Sequence, residues 1–557
     1  METTKSEFDT DKAKMEKKGN YEIEETEKKD LTYTKTHHNL AYKILKYNPI
    51  DPLSDLYRKF LKSFNLLERA DELHWWITYA TWCKFWMRVL WRWEKKGELC
   101  PEWGPGIVVG NHQSHLDPFF IGGAVHRRIQ WMSKLGNFKT PIVRTLFENL
   151  GAFRLDRDNP TPGMENAKEI LTKGGWVGIF PEATRSLNGE LAEEFKTGAV
   201  RLAIEMQVPI VPTAVIGSEN ALPKGKLVMK PTKVITRVGK AIYYDDYDIE
   251  TVSFDEIQKL TMELREAIAN LLSGKATDDK IENEEELSIG SPKDLEDKPR
   301  KFNFLKEIKK IGIDAVKQFD DFWYGTLRAL EVFGLRHQVE QPLYYLTGHI
   351  LTAYTNLMNP IKVIDFDKNL PKKGGALIAC GHNSEWDVLM LPYAIWLNGK
   401  RELWQMSKES LFKIPFVNAW VRTHHAFPLK RGESDLPSYL HAKQCLEEGK
   451  LVVVYPEGTT NNGGGELLEG HTGAVRLAIE AQVPIIPVGV TGTENIYPKH
   501  GKMLNFGNGC IFKAGEPFLE HQKYWGKKMP EYDELKNITD NMMEKIKDLM
   551  FYNDPLA

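Results

Sequence analysis

The nine-residue string TGAVRLAIE occurs at residues 197–205 and again, unchanged, at 472–480. The likeness runs on through MQVPIVPTAVIGSEN, ending at Asn220, and AQVPIIPVGVTGTEN, ending at Asn495. Upstream, Met132-Ser133-Lys134 recurs as Met406-Ser407-Lys408, and NHQSHLD (111–117) is echoed by GHNSEWD (381–387). The spacing between equivalents drifts only from 270 (His112 to His382) to 275 (Glu182 to Glu457). Ordered blocks at nearly constant spacing mean one structural plan used twice, with loops of slightly different length. A chain of 557 residues is in any case too long for one ordinary core.

Within each copy, short apolar runs lead into the motifs and predict buried strands: 106–109 and 376–379 before the His motif, 177–180 and 451–455 before a Pro-Glu motif. The VPIVP and VPIIP runs read as core strands bounded by Pro, with no chemistry of their own. Helix-period segments lie between the strands, at 165–171 and 198–205. Ser253-Phe254-Asp255-Glu256 is a capping box that opens an amphipathic helix running to Leu272. This alternation predicts an α/β fold: two tandem domains, each a central, largely buried sheet flanked by helices. The expected layout is a charged, disordered tail over 1–40, a first domain over 41–271 with N-terminal interfacial helices, a charged linker over 272–301 and a second domain over 302–557.

Composition narrows the class of function. Hydrophobic residues at 42% and charged residues at 27% describe a soluble globular protein, and a net charge of −3 argues against nucleic acid as a partner. Five cysteines (Cys83, Cys100, Cys380, Cys445, Cys510) without a CxxC pair predict neither a disulfide framework nor a structural zinc site, and fit a reducing compartment. The N-terminus lacks the apolar core of a secretory signal. No stretch reaches roughly eighteen strongly apolar residues; the nearest, 342–361, is broken by Thr347, His349, Thr352, Thr355 and two Asn. A cytoplasmic protein, peripheral on the cytoplasmic face of a membrane, is the expectation. Its contact is expected at 73–96, where six Trp interleave with Lys84, Arg88, Arg92, Lys95 and Lys96, a pattern suited to the headgroup boundary. The competing reading is a helix packing its aromatics on its own domain.

The chemistry concentrates in the His motif. His112 and Asp117, like His382 and Asp387, lie five residues apart just after a buried strand, where the chain turns. If the turn folds back, the carboxylate holds one ring nitrogen and leaves the other as a base toward an alcohol. This is the base-and-orienter part of a catalytic triad, with the substrate's hydroxyl in place of an enzyme serine. No GxSxG elbow accompanies it, so direct attack without an acyl-enzyme is the simpler mechanism. Helix N-capping by Asp117, which precedes Pro118, is the bland alternative, and explains Asp387 before Val388 less well. A metal held by His112, His115 and Asp117 is disfavoured because Glu385 replaces His115 in the second copy.

Anion binding is the second theme. In FPEATRS (180–186) Arg185 offers two parallel donors to a phosphate, whereas YPEGTTN (455–461) has Thr460 there. FRLDR (153–157) and FPLKR (427–431) end in Arg157 and Arg431, candidates for a second phosphate contact. Lys196 is a further candidate for holding the anion; His471 occupies its position in the second copy.

These blocks, in this order, resemble the glycerolipid acyltransferases, the family of the lysophosphatidic acid acyltransferases. Asn111, His112 and Asp117 match its first motif, Arg157 its second, Phe180 to Arg185 its third with Ala183 standing for Gly, and Val208 to Pro212 its last. The resemblance covers roughly residues 75–270 and 322–550. It implies His as general base, Asp as its orienter, and Arg157, Glu182, Arg185 and, in the second copy, Glu457 at the acceptor's phosphate. It implies acyl-CoA or acyl carrier protein as donor, a lysophospholipid as acceptor, and neither metal nor other cofactor. The second copy departs at Gly381, which replaces Asn, and at Thr460, which replaces Arg. The expected activity is acyl transfer to lysophosphatidic acid. Alternatives are another lysophospholipid or glycolipid as acceptor, a second domain that only binds lipid, or hydrolysis with the same His acting on water.

Overall fold

The computed structural model describes residues 50–139, 143–156, 158–186, 190–223, 228–274, 304–429, 435–461, 466–499, 501 and 503–550. The expected tail over 1–40, and the expected linker apart from 272–274, lie outside them, as do Arg157 and Arg431. Contacts gather the chain into two compact units, residues 1–74 with 130–169 and residues 75–129 with 170–557.

The repeat in sequence is a repeat in topology. The first copy supplies β1 (Glu94–Gly97), β2 (Gly106–Gly110), β3 (Ile129–Lys134), β4 (Phe153–Leu155), β5 (Trp176–Ile179), β6 (Ile210–Ile216) and β7 (Ile235–Val238). The second supplies β8 (Ile361–Ile364), β9 (Ala376–Cys380), β10 (Leu403–Lys408), β11 (Ala426–Leu429), β12 (Leu451–Val454), β13 (Ile485–Thr491) and β14 (Cys510–Ala514). Strands β8-β14-β13-β9-β12-β10-β11 form one sheet, and β1-β7-β6-β2-β5 repeat the order of its first five. β3 pairs with β4 in parallel, as β10 does with β11. Of these strand pairs, β6 with β7 and β13 with β14 are antiparallel and the others parallel. β2 and β9 are buried along their whole length. Strands covered on both faces need apolar side chains at every position, which is why GIVVG and ALIAC read as continuous runs rather than alternating ones.

The helices follow from their caps and apolar faces. Gly198–Met206 and Gly473–Glu480, the two forms of the repeated string, bury Ala, Val, Leu and Ile against the sheets. Helix Phe254–Ser273 begins in the expected capping box, with Ser253 and Glu256 bonded reciprocally, and ends at the left-handed Gly274. Helix Tyr532–Lys547 closes the second copy without a side-chain cap and ends at the right-handed Asp548. The stretch 342–361 falls largely within helix Arg336–Leu357. Among the described residues no helix is long and apolar enough to cross a membrane.

Much of the Trp-rich segment is packed inside the protein. Trp75, Trp76, Trp91 and Trp93 are buried, and so is Lys84, at 2% exposure. The wide turns of Trp75–Cys83 pack against the long helix Phe304–Val332 that opens the second copy. Trp76 meets Tyr324 edge-on at 5.6 Å, Lys84 Nζ reaches Asp321 at 2.7 Å, and Arg88 pairs with the same carboxylate and donates to Gln318 at 2.6 Å. Two of the interleaved cations therefore face a buried carboxylate in the second copy instead of lipid headgroups. An ammonium so far from water needs that carboxylate. A second buried pair, Arg422 with Glu102, reinforces the joint, and Leu99 N–H donates to Glu409 at 3.0 Å. The large apolar residues left exposed on the segment are Ile77, Phe85, Trp86, Val89 and Leu90, with Thr78 and Arg92 exposed beside them.

Candidate active site

β2 ends at Gly110, and the chain turns through Asn111 to Leu116 into helix Asp117–Val125. His112 Nδ1 lies 3.0 Å from Asp117 Oδ2, and that oxygen also accepts the N–H groups of Gln113 at 2.6 Å and Ser114 at 2.7 Å. Leu116, not Asp117, occupies the helix N-cap, so the carboxylate folds back over the preceding turn instead of capping the helix. Asp117 is fully buried, whereas the His112 side chain keeps 18% of its surface. With Nδ1 on the carboxylate, Nε2 is the nitrogen left for a substrate proton. Phe180 stacks on the imidazole at 4.1 Å.

The Pro-Glu motif buttresses this turn from the neighbouring strand. Glu182, just past β5, accepts His112 N–H at 2.7 Å and Ala192 N–H at 3.3 Å, and Ser186 N–H donates to His112 C=O at 2.8 Å. Burial raises the Glu182 carboxyl above its ordinary value, against the pull of those amides. Arg185 acts on the same turn: loss of hydration and then this guanidinium push the His115 imidazole down to about 4. Asn111 ties the turn to β6, donating to Val215 C=O at 2.9 Å and accepting Val215 N–H at 2.7 Å. The helix carrying Asp117 is seated by Tyr79, whose hydroxyl bonds Pro118 C=O and whose ring lies where a side chain on Gly122 would begin, 2.5 Å from an added Cβ.

The second copy reproduces the frame with altered access. His382 Nδ1 lies 3.1 Å from Asp387 Oδ2, which accepts Asn383 N–H at 2.7 Å and Ser384 N–H at 2.9 Å. Glu457 accepts His382 N–H at 2.7 Å and Leu468 N–H at 2.8 Å. Tyr455 takes the place of Phe180, stacked at 4.3 Å. His382, however, is only 1% exposed.

A family model described as Acyltransferase matches residues 92–216 and again 363–491, one span on each His motif. Both copies are acyltransferase-family domains. The chain is 28% identical over 212 residues to a 1-acyl-sn-glycerol-3-phosphate acyltransferase of Bacillus subtilis (strain 168), covering 37% of this chain and 96% of that protein. It is 29% identical over 158 residues to the protein of the same name in Limnanthes douglasii, covering 26% of this chain and 53%, about half, of the relative. Among solved structures, the 1-acyl-sn-glycerophosphate (LPA) acyltransferase PlsC of Thermotoga maritima is 25% identical with a TM-score of 0.30, covering 39% of this chain and 86% of that one. The chain carries the acyltransferase domain twice.

In this acyltransferase the residues singled out from sequence fall into three groups. His112 with Asp117, and His382 with Asp387, are brought into contact. Glu182 and Glu457 hold the His turns through backbone amides, and Arg185 sits on the first turn, within electrostatic reach of His115. Lys196 is exposed, with its backbone N–H on Pro181 C=O at 3.0 Å. Arg157 and Arg431 lie outside the described residues. Two roles escaped sequence reading. Asn383 donates to Val490 C=O at 2.9 Å, the bond Asn111 makes to Val215, so the loss of Asn at Gly381 is made good two residues later. Lys499 Nζ donates to Thr460 C=O at 2.8 Å, bringing a cation to the turn that lacks Arg185. The Asn in GHNSEWD, shifted by two from the Asn in NHQSHLD, was the available signal for the first.

Ala183 also gains an explanation. Its φ is 58°, and Gly458 at the equivalent turn has 68°. An alanine there costs on the order of 1 kcal/mol. In the second copy a Cβ at Gly458 would lie 3.1 Å from the His471 ring; the first copy has the flexible Lys196 at that position instead.

Proposed function

We propose that the chain transfers a fatty acyl group from acyl-CoA or acyl carrier protein to the hydroxyl of lysophosphatidic acid, giving phosphatidic acid. The observation that carries this reading is the exposed edge of His112 beside a fully buried Asp117. His112 Nε2 takes the acceptor hydroxyl's proton as the oxygen attacks the thioester carbonyl. The new C–O bond forms, the C–S bond breaks, and the imidazolium returns the proton to the leaving thiolate. Asp117 holds the ring and balances its transient charge. Arg185 receives the acceptor's phosphate, with Arg157 and Lys196 as further contacts, while Glu182 acts by holding the turn. The thioester supplies the driving force, so no metal or other cofactor enters. The names of the relatives support this acceptor.

The second copy is read as a divergent, lipid-binding domain with little turnover, on the burial of His382. The functional units are residues 41–271 and 302–557. The protein works at a membrane surface on the cytoplasmic side, and the exposed apolar residues at 77–90 are the contact. Labelled acyl-CoA offered with a panel of lysophospholipids tests the reading. Ester product from lysophosphatidic acid that disappears with His112→Ala supports it. Release of free acid alone would make the chain a hydrolase.

A further inference from the structure

The second copy contains a cavity of about 220 Å³ with its floor on β10. That exceeds the roughly 150 Å³ that suffices to hold a benzene-sized ligand in a dry core. Its walls are mostly apolar, with Leu351, Leu389, Trp396 and Trp420 among them. Two polar side chains rise from the floor at alternate positions of β10, Gln405 at 5% exposure and Ser407 at 6%. Neither Gln405 Oε1 nor Ser407 Oγ has a hydrogen-bond partner among the described residues. A buried polar atom left unpaired is destabilising, so these two call for a ligand that pairs them.

The two copies show how the cavity arises. At the position of Gln405 the first copy has Trp131, and at Leu411 it has Asn137. Asn137 Nδ2 donates to Ser133 Oγ at 3.0 Å, satisfying the serine of the first Met-Ser-Lys. In the second copy an amide replaces the bulky indole, and Leu411, which lines the cavity, cannot donate to Ser407. One pair of substitutions removes bulk and strands a hydroxyl on the same floor.

The lining also limits the charge of the occupant. Among the described residues no Lys or Arg lines the cavity, and the one acidic residue, Glu385, is exposed in the His turn. Burial lowers the basicity of His424, an imidazole in the wall that bonds Thr347 Oγ1 at 2.8 Å. An anionic head would go uncompensated and face a carboxylate. We infer that this cavity binds a single-chain amphiphile through an uncharged hydroxyl or amide head placed on Gln405 and Ser407. The inference rests on the reading of the second copy as a lipid-binding domain and names its ligand class; it requires no acyl transfer by that copy.

The test uses the full chain, without acyl donor, titrated with 1-monodecanoylglycerol below its micellar range while tryptophan emission is followed. Saturable binding is expected, weakened about tenfold or more by Gln405→Trp, which restores the first copy's residue, and several-fold by Ser407→Ala. Decyl phosphate should bind about a hundredfold more weakly. Circular dichroism checks that Gln405→Trp is folded; Ser407→Ala, which removes one oxygen, carries the test if it is not. Absence of saturable binding, equal affinity for decyl phosphate, or unchanged affinity in the folded variants would each overturn the inference. Loss of acyl transfer in a separate assay bears on His112 alone.

Discussion

The two His turns differ by only 0.1 Å in their His–Asp distance but clearly in exposure, 18% for the His112 side chain against 1% for His382. The base-and-orienter geometry is local. It needs a buried strand, a turn whose amides converge on one carboxylate, and a glutamate from the next strand beneath. Both copies have all three. Access is not local: it depends on what the distant loops and helices lay over the turn. A catalytic pair can therefore persist in a domain that no longer turns over, because the pair also holds the turn together.

The largest expected contrast follows directly. His112→Ala should lower acyl transfer to lysophosphatidic acid by ~10²–10⁴-fold, the usual loss of a general base, whereas His382→Ala should change it about twofold at most. Initial rates with labelled acyl-CoA decide. Equal losses from both variants would make the second copy catalytic and the burial of His382 irrelevant.

The segments leading into the copies also differ, and the difference can be broken at one residue. Lys84 and Arg88 share Asp321, and with Lys84 at 2% exposure the ammonium has little access to water. Asp321→Asn leaves that charge without its carboxylate and should destabilise the chain by roughly 3–5 kcal/mol. Urea unfolding measures it. The corollary concerns membranes: with these cations turned inward, attachment through Ile77, Phe85, Trp86, Val89 and Leu90 should depend little on salt. Attachment to anionic vesicles that collapses as salt rises would restore the basic-belt reading.

Sequence patterns reached unevenly into this structure. The buried strands β2, β5, β9 and β12 were legible because strands covered on both faces are apolar at every residue, which few other elements mimic. The capping box at Ser253 fixed a helix start because its two reciprocal bonds need those two residue types at that spacing. The edge strands β1 and β8 were not legible, since EKKG carries no strand pattern and IKVI is too short for its β-branched residues to decide. The Trp-rich segment was ambiguous for a physical reason. Interleaved Trp and basic residues suit a headgroup boundary and a buried ion-paired joint equally well, and only Asp321, more than two hundred residues away, separates the two. The His–Asp pair was legible from spacing and recurrence; the burial of one copy was not, because it arises from loops whose sequences say nothing about where they lie.

Acceptor preference offers a finer contrast. Arg185→Thr makes the first turn resemble the second and should lower kcat/KM for lysophosphatidic acid by about a hundredfold, the loss of a charge-assisted bidentate contact. An acceptor whose phosphate is esterified should be affected far less. If both acceptors fall equally, Arg185 supports the turn and does not read the phosphate.

The smallest expected effect concerns pH and the ends of the two helices that follow the His turns. In the first copy that helix ends at His126, in the second, after an added wide turn, at Lys400, and both end residues are left-handed, with φ of 54° and 51°. Lys400 is exposed, while His126 lies in the joint beside Lys84, its ring nitrogens 3.4 and 3.5 Å from the ammonium. Burial first, then Lys84, Lys95, Arg422 and Arg88, hold the His126 imidazole well below its ordinary value. As pH falls below about 6.5 the unfolded chain takes up this proton and the folded chain does not. Stability from this residue is therefore intact above about pH 6.5 and lost progressively as pH falls toward the folded value. The raised carboxyl of Glu182 runs the opposite way, since its folded state binds the proton more readily, but its window lies lower, just above the ordinary carboxyl value of 4.5. Asn tolerates the left-handed conformation at either position. Melting temperatures compared at about pH 7.5 and about pH 5.5, the span in which an ordinary imidazole charges, should fall less for His126→Asn than for the wild type. Lys400→Asn, the matched change in the second copy, should leave that fall unchanged. An unchanged fall in His126→Asn would mean that His126 takes up its proton without strain and that the joint is not sensitive to acid at this residue.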